Sequence, residues 1–162
     1  MTTFTLADFN DAPAADVTPE LETIFGSAPL AVSVAEARPF TSVDALVEAA
    51  SSLLAAQPES EVLAAVNAHP PIGGTVSAGS RSAAEQSGAT ESADLDAVRE
   101  LQPAYREHFG WNFLIKAAGR SSAEIRAELE RRLTVDPAEE WPFSISQLDA
   151  INGLRLRGTV ND

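Results

Sequence analysis

Helix-start signals recur along the whole chain, and almost nothing between them carries the two-residue alternation of a half-buried strand. Thr18-Pro19-Glu20 puts a capping hydroxyl ahead of a proline, and the short helix that follows is predicted to stop at Gly26. Thr41-Ser42-Val43-Asp44 opens another, in which Val43, Leu46, Val47, Ala50 and Leu53 recur at helical spacing and form one apolar face. Pro58 precedes a helix through Leu63 and Val66 that should end near His69-Pro70, because a residue before proline is disfavoured in the α region. A long polar helix is predicted from Ser92 to about His108, and Ser121-Ser122-Ala123-Glu124 and Asp136-Pro137-Ala138-Glu139 have the spacing of capping boxes. Gly, Ala, Ser and Thr crowd the stretch from Gly73 to Thr90, which reads as a loop followed by a helix start. The one compact apolar run is Trp111 to Ala117. The expected fold is therefore all-α, a single-domain helical bundle over residues 1–162 with one short buried extended segment.

A chain of 162 residues, 44% apolar, is long enough to bury a sizeable core. No apolar run approaches the roughly 20 residues that cross a bilayer. The first residues, Met1-Thr2-Thr3-Phe4-Thr5, lack the positive charge and apolar stretch of a secretory signal, and the last four are no peroxisomal address. There is no cysteine, which excludes disulfides, thiolate metal sites and a cysteine nucleophile. A cytoplasmic protein is expected. With a net charge of −13 and no basic stripe, nucleic acid is not an expected partner. A small anion still binds where local cations or backbone N–H groups overcome the general field. Two histidines without cysteines make a catalytic zinc a poor expectation, and no motif for a phosphate loop or an organic cofactor occurs.

Three places break the local rules. His69, in Asn67-Ala68-His69-Pro70-Pro71-Ile72-Gly73-Gly74, sits at a predicted helix exit. Two roles are open to it: capping the free carbonyls of that helix, or moving a proton at neutral pH. His108 lies on a polar helix and is expected to be solvated. Ser82 and Glu85, in Ser82-Ala83-Ala84-Glu85-Gln86-Ser87-Gly88-Ala89, have capping-box spacing, and the same helix start offers unpaired N–H groups to an anion. Arg155 falls on the face that Ile145, Leu148 and Ile151 share on the last helix, whereas Arg157 points elsewhere. A guanidinium on an apolar stripe either snorkels at the helix end or meets a carboxylate, whether Glu85 or a ligand.

Read in order, these places resemble one family, the OHCU decarboxylases, which convert 2-oxo-4-hydroxy-4-carboxy-5-ureidoimidazoline (OHCU) to (S)-allantoin in uric acid degradation. His69-Pro70-x-Ile72-Gly73 is similar to the family's His-Pro-x-(Leu/Ile)-Gly signature. Ser82-x-x-Glu85-Gln86-Ser87-Gly88-Ala89 resembles its Ser-x-x-Glu-Gln segment, and Tyr105 to Arg120 its Tyr-to-Phe-Gly block. Arg38-Pro39-Phe40, Arg132-Leu133, Glu139 and Ile151-x-x-Leu154-Arg155-Leu156 follow at suitable places, so that the likeness runs from about Phe9 to Leu156. Each motif alone is weak; four in the right order over one domain length are strong.

The resemblance implies a compact helical homodimer acting on a small anionic substrate without metal or cofactor. It implies a catalytic role for His69, assisted by Glu85. It implies substrate contacts at Pro70, at Ser82, Ala83, Ala84, Glu85 and Gln86, along the backbone of Phe113, Leu114, Ile115, Lys116 and Ala117, and at Arg155. The chain departs from many members at Pro71, at Asn112 and in the loop from Gly73 to Arg81. Two other readings fit the residues: a decarboxylase or isomerase for another small ureide acid on the same fold, and a non-enzymatic acidic helical module with a basic protein partner.

Overall fold

The computed structural model describes residues 2–73, 85 and 92–162. They form two compact units, Met1–Ala68 with Asp149–Asp162, and His69–Leu148. Among the described residues the fold is all-α apart from one pair of two-residue strands, as the helix punctuation predicts.

The first unit holds β1 (Phe4–Thr5), α1 (Leu6–Asp11), α2 (Ala14–Phe25), α3 (Ala28–Glu36), α4 (Val43–Ala55) and α5 (Glu59–Ala68), and closes with β2 (Val160–Asn161). β1 and β2 pair in parallel, with Phe4 opposite Val160, so the two ends of the chain meet. α2 packs on α3 and α3 on α4 around fully buried Phe9, Leu21, Ile24, Leu30 and Leu46. Each such side chain contributes about 1.5–3 kcal/mol of hydrophobic stabilisation.

α2 departs from its expected start. It begins at Ala14 rather than after Thr18, and Pro19 lies inside it. Pro13 takes the position before the helix, its carbonyl accepting from the N–H groups of Asp16 and Val17 at 2.9 and 3.3 Å. Pro19 then forfeits one intrahelical bond. Burial of Val17, Leu21, Ile24 and Phe25 along one face outweighs that loss. The stop is where the sequence puts it: Gly26 adopts φ 64°, a left-handed cap that a side chain resists. α4 starts as predicted, the Ser42 hydroxyl accepting from the Ala45 N–H at 3.0 Å. In its last turn, however, the buried leucine is Leu54, and Leu53 is only half-buried.

In the second unit, α6 (Ser92–Phe109) packs on α7 (Ser122–Arg132), and the first half of α8 (Pro137–Thr159) completes the chain of elements. Ser121 caps α7, accepting from the Glu124 N–H at 3.2 Å. The Glu124 carboxylate accepts from the Ser121 hydroxyl instead of closing the reciprocal backbone bond of a capping box. Residues 112–117 are neither helix nor strand, yet Phe113, Leu114, Ile115 and Ala117 are buried. An aromatic cluster surrounds the start of this segment: Tyr105 stands 4.6 Å from Phe109 and 5.2 Å from Phe113, ring centre to ring centre.

Candidate active site

His69 is the first residue beyond α5 and is only 6% exposed, whereas Pro70 and Pro71 are exposed. An imidazole at a helix exit is ordinarily wet, so its burial makes it a held group and not a solvated one. The loop that follows it is pinned to α6. Gln102 Nε2 donates to the Ile72 carbonyl at 2.6 Å, and Arg99 Nε donates to the Gly73 carbonyl at 2.6 Å. Ile72 is buried against Val98 and Tyr105 in the unit's core. Gly73 has φ 75°, and a Cβ there would stand 3.0 Å from Arg99 Nε and 3.1 Å from Leu95 Cδ1, so both the conformation and the space demand glycine. The His-Pro-x-Ile-Gly stretch is thus a rigid corner. An open groove of about 470 Å³ runs between Pro71–Gly73 and the α6 face bearing Arg99, Gln102 and Arg106. Among the described residues, no side chain predicted to touch substrate lines it.

Ser82, Ala83, Ala84 and Gln86 lie outside the described residues, and so does the capping box proposed there. Glu85 is helical and half-buried. The Phe113–Ala117 segment is held by side chains rather than by a ladder. The Lys116 N–H donates to Gln147 Oε1 at 3.0 Å, and the Lys116 carbonyl accepts from Arg120 Nε at 3.1 Å. Buried backbone outside regular structure needs such partners. Gln147 was not singled out by the sequence, because an amide reaching a distant backbone leaves no local pattern. Asn112, one of the departures, accepts from Arg106 Nε at 2.7 Å, an anchor that a proline cannot provide.

Arg155 is 8% exposed, and Leu148 and Ile151 on its face are buried. Arg157 is exposed and pairs with Asp44 at 2.7 Å. The guanidinium does not snorkel outward: Nη1 donates to the Ile24 carbonyl at 3.0 Å, near the end of α2. His108 is exposed, as expected for the outer face of α6.

A second buried arginine tells a different story. Arg132 Nε donates to Glu140 Oε2 at 2.7 Å, and its guanidinium lies 3.7 Å from the centre of the Phe143 ring. The Tyr105 hydroxyl donates to Glu140 Oε1 at 3.0 Å, and Trp111 Nε1 donates to Ser144 Oγ at 3.1 Å. Burial pushes the Glu140 carboxyl above the usual carboxylate range, and the hydrogen bonds from Arg132 and Tyr105 only partly offset it. Burial likewise raises the Tyr105 phenol, with help from the nearby Glu140 charge. The sequence drew attention to Glu139, which is exposed; the buried partner is Glu140.

Comparison with known proteins settles the relationship. The model of the family described as OHCU decarboxylase matches residues 10–157. The chain belongs to the OHCU decarboxylase family. A 2-oxo-4-hydroxy-4-carboxy-5-ureidoimidazoline decarboxylase of Mus musculus is 30% identical over 78% of this chain and 76% of its own length. One from Halalkalicoccus jeotgali is 24% identical over 96% of this chain and 92% of its own. A crystal structure of OHCU decarboxylase in the presence of (S)-allantoin superposes with a TM-score of 0.77 at 27% identity, covering 86% of this chain and 95% of that one. As a member of the OHCU decarboxylase family, the chain carries those of its motifs that lie among the described residues on a pinned corner after α5, a side-chain-braced irregular segment, and the inner face of α8.

Proposed function

We propose that this protein decarboxylates OHCU to (S)-allantoin in uric acid degradation, as a carboxy-lyase, and that residues 1–162 act as one functional domain. The observation that carries this reading is the family match across residues 10–157, within which His69 and Arg155 are buried rather than solvated.

The chemistry needed is modest. The substrate carries a carboxylate on a ring carbon that also bears a hydroxyl. When the carbon–carbon bond to the carboxylate breaks, its electron pair stays on the ring carbon and spreads into the neighbouring unsaturated system. Carbon dioxide leaves, the hydroxyl gives up its proton as that carbon becomes a carbonyl, and one proton goes to one face of the neighbouring ureido-bearing carbon. A catalyst has to anchor the anion, stabilise the charge as it develops, and control where the proton lands. We assign the anchoring to Arg155, whose planar fork suits a carboxylate. His69 acts as the general acid/base, positioned by its stiff corner. Glu85 accepts from a substrate N–H or hydroxyl and biases the protonation state of His69. Pro70 and the stretch Ser82 to Gln86 shape the site around the ring, together with backbone groups of Phe113 to Ala117 other than the Lys116 N–H already held by Gln147.

The working unit is a homodimer in the cytoplasm. The absence of cysteine suits a reducing compartment, and no helix among the described residues is long and apolar enough to cross a membrane. Sedimentation of the purified protein reads the dimer directly.

The function is tested by generating OHCU in place from urate, adding the purified protein and following circular dichroism. One enantiomer of allantoin should form faster than OHCU decays unaided. A racemic product at the unaided rate would remove the assignment. Turnover of a different ureide acid, with none of OHCU, would replace it.

A further inference from the structure

Asn152 is a buried amide left without partners among the described residues. It is 2% exposed, and neither Oδ1 nor Nδ2 has a hydrogen-bond partner there. An amide offers two donor hydrogens and an acceptor oxygen with two lone pairs, and leaving them dry is costly. The surrounding face of α8 makes the choice odd. Ile151 and Leu156 beside it are apolar and buried, so a leucine would fill the same space with no such penalty. Other polar groups on this face are engaged: the Thr159 hydroxyl donates to the Arg155 carbonyl at 2.8 Å, and Arg155 donates to the Ile24 carbonyl. Among the described residues Gln57 leaves one buried polar atom, Oε1, unpaired, and Asn152 leaves both of its own, which calls for an explanation, a ligand or bound water being the usual ones.

Position narrows the explanation. Asn152 precedes Arg155 by three residues, and side chains at that spacing are neighbours on a helix. Arg155 is the residue to which the substrate's carboxylate has been assigned. A ureide acid presents, next to its anion, N–H and C=O groups in the amide pattern. An asparagine meets that pattern with two bonds, Nδ2 donating to a carbonyl and Oδ1 accepting from an N–H.

We infer that Asn152 is a substrate-contacting residue, its side-chain amide pairing with an amide or ureido group of the substrate beside the anion held by Arg155. Asn152 thereby favours ureide acids over hydroxy acids of the same charge that lack the amide. The inference rests on the decarboxylase reading above.

The test uses OHCU generated from urate with the parent protein and two variants, recording kcat, KM and melting temperature. Asn152→Leu should keep or raise the melting temperature while kcat/KM falls roughly ten- to a hundredfold. Asn152→Asp keeps the size but sets a negative charge beside the substrate's own, so KM should rise by at least as large a factor. Should the leucine variant fail to fold, Asn152→Ala takes its place. Unchanged kcat/KM in the variants overturns the inference. So does a melting temperature that falls together with activity, or failure of both truncations to fold, because the amide is then structural and held by water. A parent that does not turn over OHCU overturns the decarboxylase reading and this inference together; an active parent with indifferent variants overturns this inference alone.

Discussion

Glu140 and Asn152 lie on the same long helix, α8, and both are buried, yet the two regions around them treat polarity in opposite ways. Around Glu140, which is 0% exposed, Arg132 and Tyr105 each supply a hydrogen bond, and Trp111 and Ser144 complete the cluster. Around Asn152 no described residue partners either polar atom. A charged group taken out of water must be paired by the protein itself, since nothing else will arrive to do so. An unpaired amide is tolerable where its partner comes and goes with a substrate. The difference separates polar groups that hold the fold from polar groups that serve the reaction, and it predicts that substitutions in the two regions will move different observables.

The largest effect on rate should come from His69. His69→Ala is expected to lose about 10²- to 10⁴-fold in turnover of OHCU while remaining folded, read by kcat alongside circular dichroism. A folded variant working at the parent rate would move His69 to the structural side of the comparison. On that side, Arg132→Met leaves a buried carboxylate without its cation and should destabilise the protein by roughly 3–5 kcal/mol in urea unfolding, with little change in kcat of the protein that stays folded. Adding Glu140→Leu to it should recover part of the loss, because the orphaned charge goes too. If kcat collapses instead while stability holds, the division between the two regions is wrong.

Arg155→Lys should cost on the order of tenfold in kcat/KM, because a point charge does not replace a bidentate fork. Equal constants in parent and variant would take Arg155 out of the reaction. The smallest effect concerns pH. Burial holds the Glu140 carboxyl above its ordinary value, so in the interval just above the usual carboxylate range the folded protein binds a proton that the unfolded chain has released. Glu140 therefore contributes less stability as pH rises through that interval. The stability of the parent minus that of Glu140→Gln should decline with rising pH there, and a difference that is flat or climbs would show that the carboxyl is not held upward.

Much of the architecture was legible because helix ends are local chemistry. Ser42, Ser121 and Gly26 act within a few residues of themselves, so the starts of α4 and α7 and the stop of α2 fell where expected. α3 went unread although Ser27 and Pro29 mark its first turn, the serine hydroxyl accepting from the Leu30 N–H. The start of α2 was misplaced because Pro19 looks like a first-turn proline, and only the burial of Val17, Leu21, Ile24 and Phe25 on the opposite side of the helix from that exposed proline says otherwise. Leu53 and Leu54 are one residue apart; helical periodicity leaves either free to be the inner one, and packing chose Leu54.

For the candidate site, sequence alone singled out the candidate side chains and showed that their motifs follow the order of one family, since motif spacing survives in the linear chain. It also determined the apolar face on which Arg155 lies, because a 3.6-residue period can be counted. Tertiary structure decided what counting cannot reach. It set how deeply His69 is buried, paired Arg132 with Glu140 rather than leaving the weight on Glu139, tied Lys116 to Gln147, and left Asn152 unpartnered among the described residues. A hydrogen bond's worth depends on whether water can compete for it, and the chain learns which groups are dry only when distant segments close over them.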